Sequence, residues 1–466
     1  MIKSVFSNGV MRDVFAGLGL DSALIDLIEV ANEASIRSCF PVSDLASASF
    51  SVFGAALVRL NQALFNQTNV VKVDQTLASA WFGFTFQPID FHIVSPWDTL
   101  SGDYATKDGW IRVHTNAKSH RLVATDLLGL TDVDERQIPL FAKQEILRWK
   151  KFDLENALVE NGGCAAAMVS RDTWLNSNQG SSQANQGLVN RAKRFQPFVF
   201  ETWRPTRQKP LAGMKILDMT RVLAGPVCTR ILSSLGANVL RIDPPSWNEP
   251  GVSPEVNVGK RCAHLDLKTP WGKAIFAELL DQADVFVHGL RPGALDGLGF
   301  GPLVIDSLRD GVIDVSLSAF SESTPWASRR GFDSLVQMSS GIADHAKEIA
   351  NSIRPVPLPV QALDHATGYF MATEVLLAIL DQTVNNLATR SKFSLVSTAD
   401  LLAKYAMPQF VGNLEIGQIP FDGDVYFLET TPWGKGRRMR LPLAVEGTNF
   451  SFPLPSRPIG YDRASW

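Results

Sequence analysis

Residues 211–245 read LAGMKILDMTRVLAGPVCTRILSSLGANVLRIDPP, and their punctuation sets out a strand, a turn, a helix and a second strand. The apolar run Met214 to Met219 predicts a buried strand. Ala224, Gly225 and Pro226 break it, glycine by turning freely and proline by fitting the first turn of a helix. Val227, Ile231 and Leu235 recur every four residues and give that helix one apolar face; Gly236 suits a left-handed cap, and Val239 to Ile242 is the next strand. This is a βαβ unit whose first loop can hold a ligand at a helix N-terminus. It lacks G-x-G-x-x-G, so pattern alone stops at a generic α/β start.

Working downstream, residues 211 to about 410 alternate strand and helix, with strands expected at 284–288 and 312–317 and helices at 271–282 and 302–309. Such alternation implies a parallel sheet with helices on its faces. Residues 422–466 carry Pro453, Pro455 and Pro458 and read as strand and loop. Upstream, residues 1–40 read as one or two short helices, with LIDLIEVANEA the clearest periodicity; a buried small-residue helix is expected over 41–64. A strand at 68–73, the strand 109–114, helices at 119–128, 141–149 and 153–161 and a strand at 165–169 follow. Residues 177–210, rich in Asn, Gln, Ser and Arg, read as a linker or long surface connection.

The 466 residues make two domains the default, and a hydrophobic content of 45% with 20% charged is that of a globular protein. A net charge of −3 argues against a broad nucleic-acid surface; the local run GKGRRMR, Gly434 to Arg440, reads as a solvated turn before a strand. Cys39, Cys164, Cys228 and Cys262 have no CxxC or CxxH spacing, which speaks against zinc or a disulfide framework and for a reducing compartment. No apolar run approaches a membrane span on this reading. The start carries Lys3 and Arg12 but no secretory apolar block. Cytoplasm is the expectation, with a mitochondrial presequence left open.

The chain also repeats itself. Asp44 to Gln62 aligns with Asp364 to Gln382, pairing Phe50 with Phe370, Leu57 with Leu377 and Leu60 with Leu380. Each copy is an aspartate, a small-residue helix and a β-like run, VVKVDQTLASA and FSLVSTADLLA.

From Leu211 onward the sequence resembles the family III CoA-transferases, the group that includes formyl-CoA transferase, carnitine CoA-transferase and α-methylacyl-CoA racemase. The likeness is carried by ILDMTRVLAGPVCT, GANVLRIDPP, VGKRCAHLDLKTPWGK, DVFVHGLRPGALDGLGFGP, RRGFDSLVQMSSGIA and ALDHATGYFMA, in the family's order. Residues 40–82, 108–129 and 157–179 are similar to other parts of the same family, so its small domain precedes its CoA-binding domain here. The resemblance implies an α/β fold: a Rossmann-like doubly wound parallel sheet domain over 206–466, and a smaller α/β domain with a partial copy of the aspartate helix over 1–205. A dimer, where one forms, is expected to pack side by side.

The resemblance further implies a CoA-transferase that moves CoA from an acyl-CoA thioester to a carboxylic acid, with CoA as substrate and product, no tightly bound cofactor, no nucleic acid and no membrane. Its nucleophile would be Asp364, which follows PVPLPVQAL and stands where the helix N-terminus favours a carboxylate. On pattern alone a plain N-cap is the favoured reading of that aspartate, and it is the resemblance that reverses it. Asp44 is expected to be a structural cap. Lys260, Arg261, Leu265 and Lys268 resemble the adenosine and phosphate wall; Val222 and Leu223 lie in the loop toward the thiol end; Arg330 falls where some members have a lysine on CoA. Pro244, Gly289 and Gly297 depart from the family at CoA-contact positions. Gly331-Phe332-Asp333 has phenylalanine where the racemases have histidine, which disfavours the racemase or isomerase alternative. A non-catalytic acyl-CoA-binding protein is the remaining alternative.

Overall fold

The structure, a computed structural model, describes residues 5–32, 34–415 and 423–466; Lys3, weighed above as part of a presequence, lies outside them. In chain order its strands are β1 (Ile28–Ala31), β2 (Val71–Asp74), β3 (Phe86–Pro88), β4 (Gly102–Thr106), β5 (Gly109–Val113), β6 (Ala165–Ala167), β7 (Val189–Phe195) and β8 (Lys215–Met219). There follow β9 (Asn238–Asp243), β10 (Lys260–His264), β11 (Val285–His288), β12 (Ile313–Ser318), β13 (Leu387–Ser394), β14 (Tyr426–Thr431), β15 (Gly434–Met439) and β16 (Leu443–Val445).

The largest sheet has seven strands in the order β10-β9-β8-β11-β12-β13-β7, all parallel except β7. Counted from β8, the parallel part runs 3-2-1-4-5-6, the order of doubly wound sheets. The opening stretch forms its centre: β8, the buried helix Ala224–Ser234 and β9, with Gly236 at φ +99° closing the helix. Side chains alternate across this sheet. Ile216 and Val239 join one apolar cluster with Val227 and Ile231, while Leu217 and Leu240 join another with Phe276. Because helices cover both faces, the strands read as continuous apolar runs.

The first half of the chain is organised differently from the expectation. Among the described residues of this half, only the β4-β5-β6 sheet with helices Lys118–Leu127, Ile138–Ile146 and Lys151–Glu160 has a core of its own, built on residues such as Tyr104, Ile111, Leu128 and Leu158. Residues 10–82 instead share one core with residues beyond 211, and Phe50 lies 4.3 Å from Tyr369 between ring centroids. Three sheets cross the expected boundary near residue 205: β1-β2-β16, β14-β15-β3 and the β13-β7 edge. The supposed linker 177–210 holds a short helix, Asn178–Gln183, and β7, which pairs antiparallel with β13. An outer strand bonds through its backbone and keeps polar side chains in water, so no apolar alternation announced it. The part of LIDLIEVANEA up to Ala31 likewise falls in a 3₁₀ turn (Ser22–Leu27) and β1, parallel to β2, rather than a helix; its Glu33 lies outside the described residues.

The repeat is visible in three dimensions. Val42–Phe65 and Ala362–Asn385 are both 24-residue helices, preceded by Pro41 (φ −77°, ψ 62°) and Gln361 (φ −76°, ψ 64°) and ended by left-handed Asn66 and Asn386. Each β-like run is a strand that turns into a helix, Gln75–Trp81 and Leu395–Ala403; Asp74 caps the first through Leu77 N and Ser394 the second through Ser397 N. Val42–Phe65 is also long and apolar enough to cross a membrane by length and composition, contrary to the expectation, though 72% of its most apolar window is buried in this fold.

Candidate active site

Two cavities meet at Asp364. One, of about 420 Å³, lies at the carboxyl ends of the parallel strands, where the strand order reverses between β8 and β11. The loops after β8, β9, β11 and β12 supply its walls, the position at which open α/β sheets bind ligands. The other, of about 450 Å³, is mostly aromatic and apolar and runs from Asp364 to Phe82, Phe84 and Trp97 of the first half. Ala117, Val222, Leu223, Trp247, Phe332 and Asp364 line both.

Asp364 stands in the first turn of its helix, but it is not the N-cap: Gln361 holds that place, with no side-chain capping bond. Capping comes from across the site. Asp333 Oδ2 accepts the backbone N–H groups of Leu363 and Asp364, each at 2.9 Å, and Asp333 Oδ1 accepts from Gln337. The Asp364 side chain is thereby left facing the cavities, 8% exposed. Burial, then the neighbouring Asp333 carboxylate, pushes its pKa well above the usual carboxylate value. Burial also raises Asp333, to about 6, but its three donors make it the better seat for the pair's first negative charge.

Val222 and Leu223 form the lip between the cavities. Val222 has φ +66°, a left-handed conformation that a β-branched residue rarely adopts. The conformation is held from behind: Val222 N–H donates to Glu249 Oε2 at 3.0 Å, Trp247 Nε1 donates to the same oxygen at 3.0 Å, and fully buried Arg241 bonds the other. Backbone strain of this kind, about 1–3 kcal/mol, persists only where surroundings over-determine it.

The sheet-end cavity is strongly cationic. Arg221, Arg291, Arg329 and Arg330 line it. Arg221 lies 4.7 Å over Trp247 and 3.2 Å from Asp243, and Arg329 pairs with Glu155 at 2.5 Å. Arg291 and Arg330 have no ion-pair partner among the described residues, and burial, then Arg330, lowers the pKa of Arg291. Two guanidiniums that repel each other in a cleft are a site prepared for an anion. Of these, only Arg330 was anticipated. Arg291 could have been found, since it opens the R-P-G turn quoted above; the roles of Arg221 and Arg329 depend on partners distant in sequence.

The anticipated adenosine and phosphate wall lines neither cavity. Lys260 is fully buried, with Nζ 3.1 Å from Asp218 Oδ2 and 2.9 Å from the Pro226 carbonyl, so it is a core ion pair and not a phosphate ligand. Arg261 bonds the Ser465 carbonyl at 2.7 Å, Leu265 is buried in the core beside Phe276, and Lys268 is exposed on the turn at Asp266. Pro244 and Gly289 do line the cationic cavity. His365 stacks on Phe82 (5.3 Å, 18°), and burial takes its pKa to about 3. Asp44 lines neither cavity; Pro41, not Asp44, occupies the N-cap of its helix.

Residues 211–421 match the model of CoA-transferase family III, so that segment is similar to the family. Among curated relatives, a succinyl-CoA:glutarate CoA-transferase of Mus musculus is 34% identical over 188 residues, covering 37% of this chain and 42% of that protein. A probable fatty acyl-CoA transferase, Rv3272, of Mycobacterium tuberculosis is 32% identical over 194 residues, covering 39% of this chain and 49% of that one. A crystal structure of the Rv3272 protein aligns with a TM-score of 0.38 at 31% identity, covering 42% of this chain and 57% of that chain. The chain thus spans less than half the length of these curated relatives.

Proposed function

We propose that the protein is a CoA-transferase that moves CoA from an acyl-CoA thioester to a carboxylic acid through a mixed anhydride on Asp364. The observation that carries this reading is the position of Asp364 on the wall shared by an arginine-lined cleft and an apolar cavity. CoA phosphates suit Arg291 and Arg330, the acyl group suits the apolar side, and the thioester then spans Asp364.

An Asp364 carboxylate oxygen attacks the thioester carbonyl carbon, the C–S bond breaks, and the sulfur leaves with its electron pair as CoA thiolate. The product is an acyl–aspartyl anhydride. Thiolate attack on the aspartyl carbonyl frees the donor acid and leaves an aspartyl–CoA thioester. The acceptor carboxylate attacks that carbonyl and expels thiolate, which then attacks the acceptor acyl carbon, yielding the new acyl-CoA and free Asp364. Each step exchanges one acyl bond for another, so no external reductant or oxidant enters.

Exchange of labelled CoA into an acyl-CoA, without acceptor acid, isolates the first half of this sequence. Exchange by the wild type that is lost in Asp364→Asn supports the reading. Loss of α-deuterium without CoA exchange would favour an isomerase, and CoA binding with neither reaction would favour a binding protein.

A further inference from the structure

The apolar cavity is electrostatically one-sided. Phe82, Phe84, Trp97, Trp247, Phe332 and Val360 supply much of its wall, and its carboxyl groups are Asp98, Glu249, Glu255 and Asp364. Among the described residues no lysine or arginine lines it. The guanidiniums nearest these carboxylates are already engaged: Arg121 with Asp98, Arg241 with Glu249, Arg230 with Glu255.

The two histidines of the cavity do not supply a cation either. His114 is 3% exposed and lies flat on Phe332, with ring centroids 3.8 Å apart, and neither ring nitrogen has a hydrogen-bond partner. Burial, then Arg112 and His120, takes its pKa to about 3, so it is a neutral ring offering one donor and one acceptor. His365 is neutral for the same first cause. An acyl chain ending in a second carboxylate would bring into this space a charge with no free cation to pair it, since the neighbouring guanidiniums are already engaged, and a buried site does not tolerate that.

We infer that the acyl group seated beside Asp364 is bulky and uncharged, an aromatic or branched apolar acyl, and that dicarboxylic acyl groups are excluded by the absence of any cation in this cavity. This rests on the CoA-transferase reading above. A volume of about 450 Å³ falls within the range of small-molecule sites and suits a ring or branched chain.

The test is exchange of labelled CoA by the full chain into benzoyl-CoA, isovaleryl-CoA and succinyl-CoA at matched concentrations. At least one apolar thioester should exceed succinyl-CoA by roughly tenfold or more in kcat/KM. Equal or faster exchange with succinyl-CoA overturns the inference and leaves the transferase reading standing; no exchange with any of the three overturns both. Phe84→Arg adds a guanidinium at a position that is 54% exposed, where folding should survive. It should raise succinyl-CoA exchange relative to benzoyl-CoA, and an unchanged ratio means that this cavity is not the acyl site.

Discussion

The backbone N–H of Asp364 donates to Oδ2 of Asp333 at 2.9 Å, so one aspartate caps the helix that presents the other. The contact also sets two carboxyl groups side by side in a buried site. They titrate as a pair, and the higher step belongs mainly to Asp364, because Asp333 collects the three donors. Attack on a thioester needs the ionised form. The rate of CoA exchange should therefore rise with pH through a step lying above the value of about 6 that belongs to Asp333. Asp333→Asn removes the like charge and should move this acid limb to lower pH, at a stability loss of about 1 kcal/mol from the weaker cap. A pH–rate profile that does not move between the two proteins would disconnect Asp333 from the ionisation of Asp364.

Asp364 carries a stability consequence of opposite sense. Its folded-state pKa is raised, so burial favours the neutral acid: the contribution is complete below the unfolded value and is lost as pH rises through the folded one. Asp364→Asn, which is neutral throughout, should be more stable than wild type at pH 8, by about 1–2 kcal/mol, with the gap closing toward pH 4. Thermal unfolding at both pH values measures this. A variant less stable than wild type at pH 8 would mean that the carboxylate has a compensating partner.

Arg291 and Arg330 should act on binding, not on the chemical step. Charge-assisted hydrogen bonds contribute about 1.5–3 kcal/mol each, so replacing either arginine with alanine should raise KM for acyl-CoA by roughly ten- to a hundredfold with little change in kcat. The same variants should show a weaker salt dependence of kcat/KM. A fall in kcat with KM unchanged would move these arginines from the phosphates to the reacting carbonyl.

Lys260 should behave as a core residue. Lys260→Met leaves Asp218 buried without its cation, a loss of about 3–5 kcal/mol visible as a lower denaturant midpoint. A variant of normal stability with a selective rise in KM for acyl-CoA would restore the phosphate-binding role that its sequence context implied.

What could be read from sequence followed the elements whose burial is uniform. The β8–helix–β9 unit, its Gly236 cap and the alternation after it were legible because both faces of that sheet are covered, which turns strands into apolar runs. The paired helices behind Asp44 and Asp364 were legible because close helix packing demands small residues; a Cβ on Gly368 would come within 2.4 Å of the Ala224 carbonyl. β7 was hidden because an edge strand needs only its backbone to pair with β13. In the site, the motif position of Asp364 was readable, whereas its capping partner Asp333, its neighbours Phe82 and His114 and the ion-pair fate of Lys260 are set by contacts between segments far apart in sequence. Motif order located the aspartate, but charge type alone could not separate a lysine in a cleft from one in the core.

The most direct measurement is trapping of the anhydride. Wild-type protein incubated with an accepted acyl-CoA and hydroxylamine, then digested and mapped by mass, should carry a hydroxamate on Asp364, absent from Asp364→Asn and unaffected by Asp44→Asn. A hydroxamate on Asp44 or Asp333, or CoA exchange that survives in Asp364→Asn, would contradict the assignment of Asp364 as the nucleophile.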